Sequence, residues 1–222
     1  MLTAISDLEV ESREVKGHLW YFKYPIEDSD EHIIVATTRP ETMLGDTGVA
    51  VHPDDPKWKH LVGKHAILPL VGRRIPIVAD EYSDPEKGWG AVKIRPAHDF
   101  NDFEVGQRHK LEAISIFDKF AHLNDKAPEK YRGLDRFDAR KRVVADMEAA
   151  GLVEKIEPHT HSVPYGDRGG VPVEPFLTEQ WYADAKKLAQ EPIAAVRDGR
   201  VSFVPERGRE EFFRWMENIQ PW

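Results

Sequence analysis

Cysteine is missing from all 222 residues. That excludes a disulfide framework, a thiolate zinc site and a cysteine nucleophile. No apolar run approaches the ~20 residues that a membrane-spanning helix needs, and no signal-peptide pattern is visible. The cytoplasm is therefore the expected compartment, with no membrane partner. Positive charge is also scarce, because 31 Lys and Arg stand against 39 Asp and Glu for a net charge of −8. A general nucleic-acid binder works through a basic surface, so RNA contact is left only to local patches. P-loop glycines, GxGxxG, GxSxG and HExxH do not occur. Internal repeats and low-complexity tracts are absent too.

What is present is a soluble, globular composition, 41% hydrophobic and 32% charged. The most informative stretch is GWGAVKIRPAHDFNDFEVGQRH, residues 88–109. Val92 and Ile94 alternate with Ala91, Lys93 and Arg95, which predicts a half-buried strand. Pro96 stops that strand, since proline has no N–H for a ladder. Asp99 then caps a helix running to about His109, with Phe103 and either Phe100 or Gln107 on its inner side. Asp102 falls in the first turn of that helix. The positive end of a helix favours ionised carboxylates, and an ionised carboxylate is a weak base but a good anchor for a cation. The plain alternatives stay open here: aspartate at a helix start commonly acts only as a cap, and His98 reads as a hydrogen-bonded turn histidine.

A second informative stretch is ATTRPETMLGDTGVAVHP, residues 36–53. A short apolar run at residues 33–36 predicts a sheet-interior strand. Thr37, Thr38 and Arg39 follow it, Pro40 opens a helical turn, Gly45 closes the turn, and a strand resumes at residues 48–52. Hydroxyls and free N–H groups at such a turn suit a phosphate, a ribose or a small oxyanion, though threonine also serves there as an ordinary cap.

Around these stretches, residues 8–15 and 17–25 read as two strands of a hairpin turning at Lys16-Gly17. A short helix is expected at residues 55–61, with Trp58 and Leu61 inside. Further strands are expected at 66–70, 75–79 and 113–117. Many short strands at close spacing suggest a barrel or a strongly curved sheet. Residues 138–150 form the best helix pattern, with Ala139, Val143, Met147 and Ala150 on one face and Gly151 as its stop. Its Arg140, Lys141 and Arg142, with Arg136, are the densest basic cluster. They read as a solvated face, with RNA phosphate contact as the alternative. Residues 158–176 read as irregular. Helices are expected at 178–189 and 209–219 around a short strand at 201–204. The expected organisation is a compact domain over residues 1–160 and a helical connector over 161–222. Abrupt ends, with Trp222 last, read as those of a piece excised from a longer enzyme.

Those two stretches, together with IFDKFAHLND, YRGLDRFDARKRVVADMEAAG, VPYGDRGG and the terminal ENIQPW, resemble the inserted editing domain of valyl-tRNA synthetases, of the class I aminoacyl-tRNA synthetase family. The resemblance runs along practically the whole chain. It implies a mixed α/β fold around a small β-barrel core with surrounding helices. It also implies post-transfer editing, the hydrolysis of the ester in mischarged Thr-tRNA(Val), because an apolar pocket cannot strongly reject an isostere bearing one more hydroxyl. The implied partners are the acceptor end of tRNA(Val) and the rest of the same synthetase chain. No cofactor or metal is implied, and ATP-dependent charging belongs elsewhere in such an enzyme. By the same resemblance Asp102 binds the aminoacyl α-ammonium, Asp99 and Lys93 complete the catalytic pocket, and Asp99 faces the threonine hydroxyl. Thr38 and Arg39 cradle the terminal adenosine and Thr42 lines the amino-acid pocket, within a substrate-contacting set of Thr37, Thr38, Arg39, Glu41, Thr42, Arg95 and His98. A non-catalytic module that positions the acceptor end is the alternative, and a metal-dependent hydrolase built on His98, Asp99 and Asp102 is a third. Two residues depart from the family. Trp89 stands where a small hydroxyl residue is usual, and Arg95 where threonine is usual. Arg95 is expected on the pocket face, either paired with Asp99 or swung out to solvent.

Overall fold

The computed structural model describes residues 9–179 and 181–222. Leu8, at the start of the first expected strand, and Gln180, inside an expected helix, lie outside them. The chain divides into two compact units, residues 1–177 and 178–222.

Among the described residues, the first unit contains seven strands in two sheets. In one, β1 (Val10–Pro25) lies between β2 (His32–Thr37) and β7 (Val153–Gly166), antiparallel to both. The other has the order β4 (His65–Ile67), β5 (Arg74–Ala79), β3 (Gly48–Val51), β6 (Ala91–Ile94). Within it β3 and β5 are parallel, and the other two pairs are antiparallel. Among the described residues neither sheet closes on itself, so the expected barrel gives way to two open sheets linked by an Ile26–Ala66 bridge. Closure would need a ladder between β2 and β6. These strands lie side by side, but their ends meet through side chains, Arg95 Nη1 reaching Thr37 Oγ1 at 3.5 Å. The mixed α/β class holds.

No hairpin forms at Lys16-Gly17, because β1 runs straight through it. Gly17 faces His159, and a Cβ there would lie 3.0 Å from the His161 ring. The glycine makes room for a cross-strand imidazole rather than a turn. Residues 158–166, expected to be irregular, continue β7 instead. As an edge strand β7 tolerates Pro158 and Pro164, which need not donate on their outer side. The boundary expected near residue 160 therefore falls inside a strand.

At residues 113–117 no strand forms either. Asn124 Nδ2 donates to the carbonyls of Ser115 and Phe117 at 2.9 and 3.0 Å, and His98 Nε2 accepts from Ile116 N at 3.1 Å. Side chains thus satisfy the backbone groups that a neighbouring strand would have paired. The expected helix at 55–61 shortens to a 3-10 turn at Lys59–Leu61, with Trp58 and Leu61 buried as expected.

Helix α1 (Phe100–His109) starts at its Asp99 cap, whose Oδ1 accepts from Asn101 N and Asp102 N. Its inner face is Asp102, Val105 and Gly106, while Phe100 is 78% exposed and does not belong to it. A Cβ at Gly106 would come within 2.5 Å of Pro96 Cγ, so the glycine lets α1 close over the end of β6. Helix α2 (Arg136–Ala149) buries Ala139, Val143 and Met147 against the main core, which includes Phe22, Tyr24, Ile33, Met43, Leu44 and Tyr131.

The second unit holds α3 (Ala185–Arg197) and α4 (Gly208–Glu217), joined by an Arg197–Glu217 ion pair of 2.6 Å. Helix α3 begins at its Asp184 cap, well after residue 178. No strand forms at 201–204. Trp222 is exposed. Among the described residues no helix is long and apolar enough to cross a membrane.

Candidate active site

The ends of β2 and β6 point two groups of polar residues at each other. From β2 come Thr37, Thr38 and Arg39, then a 3-10 turn at Pro40–Gly45 that begins on its proline. The hydroxyl of Thr42 donates to the Arg39 carbonyl at 2.8 Å, and Thr37 Oγ1 accepts from Arg39 N at 3.0 Å. These bonds tighten the turn and leave both hydroxyls facing β6. Residues 40–51 are all buried, so the turn is part of the core rather than a surface loop.

Beyond β6, Asp102 is 1% exposed. Its Oδ2 accepts from Arg95 N at 3.1 Å and lies 3.4 Å from Lys93 Nζ and 3.8 Å from Arg95 Nε. Its Oδ1 is buried without a hydrogen-bond partner, and so is Arg95 Nε. An unpaired buried acceptor costs free energy unless something donates to it. The carboxylate therefore presents one vacant acceptor beside two cations.

Arg95 neither swings out nor pairs closely with Asp99. It is 5% exposed and fills the space between the two groups. Its Nη1 donates to Thr42 Oγ1 and approaches Thr37 Oγ1, while Nη2 lies 3.9 Å from Asp99 Oδ2. The Lys93 and Arg95 face of β6 is thus buried, not half-solvated, because acidic and hydroxyl groups cover it.

His98 is placed differently. Its ring is buried edge-on to Phe117, 5.1 Å between centroids, with Nε2 committed to Ile116 N. Burial, then the charges of Arg39 and Arg95, push it down to about 3. A ring held neutral in this way fixes the turn, and its carbonyl accepts from Arg39 Nη1 at 3.3 Å. Glu41 is fully buried and grips Arg140 with both oxygens, at 2.7 and 2.9 Å. Arg136 pairs with Glu174. The basic cluster is therefore only partly a solvated face, since Arg136 and Arg140 turn inward to acidic partners. Among the described residues no group of three or more His, Asp or Glu is placed to hold a metal ion.

Two participants carried no recognised sequence signal. Tyr82, which is 38% exposed, has its hydroxyl pushed up to about 12, by burial first and then by the charges of Asp102 and Asp99. Asp46 lies behind the pocket and accepts from Tyr24 Oη at 2.7 Å. Burial raises Asp46 to about 7 against the pull of Lys93 and Arg95. The available clue was a lone carboxylate inside a continuous buried run. Trp89 packs edge-on to Tyr21 and under Lys57, 3.9 Å from its ring centroid.

The Asp46 shift has a sign that can be measured. A folded-state value of about 7 exceeds the ordinary 3.8, so its stabilising contribution is complete below about pH 4 and is lost as pH rises through 7. Asp46→Asn, which stays neutral, is expected to gain roughly 3 kcal/mol relative to the parent between pH 5 and pH 8. Urea unfolding at both pH values measures this, and a pH-independent difference would refute it.

Comparison with known proteins adds the following. The family described as tRNA synthetases class I (I, L, M and V) matches residues 1–222. The valine--tRNA ligase of Mesorhizobium japonicum is 60% identical over all of this chain and 26% of its own length. That of Bradyrhizobium diazoefficiens is 59% identical over the same shares. This chain thus spans about a quarter of the length of these relatives. Among solved structures, a ternary complex of Agrobacterium radiobacter LeuRS with tRNA and LeuAMS is similar at a TM-score of 0.50 and 21% identity. The likeness covers 68% of this chain and 20% of that one, and it supports the fold.

Proposed function

Because the chain belongs to the class I tRNA synthetases (I, L, M and V), we propose that it is the editing region of a valyl-tRNA synthetase and hydrolyses the ester of Thr-tRNA(Val). The observation that carries this reading is the buried Asp102 with its vacant Oδ1, facing the Thr37–Thr42 turn. An α-ammonium supplies the donor that this oxygen lacks. Asp99 and Lys93 flank it, and the hydroxyl-rich turn with Arg39 takes the terminal ribose and adenine. An aminoacyl ester is already activated, so hydrolysis needs a positioned water and donors for the developing oxyanion, not a nucleophilic side chain. Lys93 Nζ is the nearest side-chain donor to Asp102. His98, committed to Ile116 and held neutral, positions the turn. The proposed partners are the acceptor end of tRNA(Val) and the remainder of a synthetase chain, and the second unit is the connector to it.

One observation favours a second reading. Arg95 fills the pocket, as expected of a module that positions the acceptor end without cleaving it. Deacylation of Thr-tRNA(Val) and Val-tRNA(Val) by this chain, and by the Mesorhizobium enzyme carrying its sequence, separates the two. Hydrolysis of the threonyl ester alone supports editing; no hydrolysis of either supports positioning. With its net charge of −8, the chain by itself is expected to bind tRNA weakly, with Kd above about 1 μM at physiological salt. A filter-binding titration giving submicromolar affinity contradicts that.

A further inference from the structure

The Pro40–Gly45 turn starts without a side-chain cap. Arg39, the residue before it, makes no such hydrogen bond, and Pro40 has no N–H to receive one. At six residues it is also long for a 3-10 helix, whose hydrogen bonds are poorly aligned. A turn of this kind needs a hold from outside.

That hold comes from α2. Glu41 is fully buried, and Arg140 takes both of its oxygens, Nε donating at 2.7 Å and Nη2 at 2.9 Å. Arg39 Nε lies a further 3.6 Å from Oε1. Glu41, expected to contact substrate, therefore has no free oxygen to offer one. The next residue does face the pocket, since the Thr42 hydroxyl meets Arg95. On the adjoining side of α2, Ala139 and Val143 share the main core with Met43 and Leu44 of the same turn. The apolar face of α2 thus seats the later part of the turn, and Arg140 seats its start. The partly exposed Phe137 ring backs the fork, 5.4 Å from the guanidinium carbon.

Burying an ion pair is not in itself a stabilising device, because apolar residues of the same volume often hold a fold as well. What paired N–H···O bonds add is direction, since a planar fork meets a carboxylate in one orientation. We propose that Arg140 is a positioning residue of the candidate site. Acting through Glu41, it fixes where the turn lies and so where the Thr42 hydroxyl stands against Arg95. Its effect on hydrolysis rests on the editing reading above; its hold on the turn does not.

Arg140→Lys is the discriminating variant, because it keeps the charge and gives up the fork. Two measurements are made on this chain well below its melting temperature. One is amide hydrogen exchange on peptides covering residues 40–46, with residues 143–149 as the internal control. The other is steady-state deacylation of Thr-tRNA(Val). The turn is expected to exchange about tenfold faster with the control unchanged. The kcat is expected to fall about tenfold at constant KM, as misplacement by about 1 Å can cost a hundredfold. A pair that served stability alone would lower the melting temperature and leave the kcat of the folded protein as it was. Glu41→Gln breaks the same pair from its other side, so the double variant is expected to be no slower than the slower single one. Unchanged exchange in the turn overturns the proposal. So does a parental kcat with a loosened turn, and so do additive losses in the double variant. Should Arg140→Lys fail to fold, Glu41→Gln decides alone by the same two measurements. Absence of hydrolysis by the parent sinks the editing reading only, and turn exchange then decides whether Arg140 sets the turn.

Discussion

Asp102→Asn is expected to lower Thr-tRNA(Val) hydrolysis about a hundredfold or more, since removing one member of a buried ion contact costs roughly 2–5 kcal/mol. Asparagine is the informative substitution because Asp102 has two tasks. Its Oδ2 holds Arg95 N and so ties the end of β6 to α1, a role that an amide oxygen keeps. Its negative charge balances Lys93 and Arg95 and leaves Oδ1 free for an incoming cation, a role that the amide loses. Alanine removes both and strands two buried cations, at a cost of about 3–5 kcal/mol in stability. Lost activity in Asp102→Ala would therefore not separate chemistry from folding. Single-turnover deacylation by Asp102→Asn, with a melting curve on the same sample, does. A folded Asp102→Asn protein at parental rate removes the ammonium anchor from the mechanism.

The parts of this site that were legible in the sequence are those set by local rules. Asp99 as a helix cap, Pro96 as a strand stop and Pro40 as a turn opener each follow from one residue's backbone chemistry, and each stands where expected. What escaped depended on partners distant in the chain. Gly17 looked like a turn because the imidazole needing its space comes from His161, on the neighbouring strand but 144 positions further along the chain. Arg140 looked solvated because its acceptor, Glu41, lies 99 positions away. Asp46 gave no signal because its proton affinity is set by burial beside Tyr24 of β1, Lys93 and Arg95 of β6 and its end, and Asp102 of α1, not by its neighbours in sequence. The barrel failed for a similar reason. Single strands such as β2 and β5 can be read from hydrophobic pattern, but whether β2 and β6 share a ladder depends on which side chains stand between their ends.

Arg95→Thr is expected to raise the rate on Thr-tRNA(Val) about tenfold and to lower stability, two effects of opposite sense. The guanidinium lies between the carboxylates of Asp99 and Asp102 and on the hydroxyl of Thr42, which is where the proposed editing function puts the substrate ammonium. A substrate must therefore displace a cation already in place, and a hydrogen bond to a charged group is worth about 1.5–3 kcal/mol, which makes tenfold a modest release. Without substrate the same change leaves Asp102 with Lys93 as its nearest remaining cation. It also opens a hole where a buried arginine stood, so a loss of roughly 1–3 kcal/mol is expected, more than an exposed arginine would show. Arg95→Met separates the two contributions, keeping bulk while removing charge. If charge competition limits the site, methionine recovers part of the gain; if bulk limits it, methionine recovers none. Should Arg95→Thr lose stability with no gain in rate, Arg95 is a strut of the pocket wall, and the positioning reading takes precedence over editing.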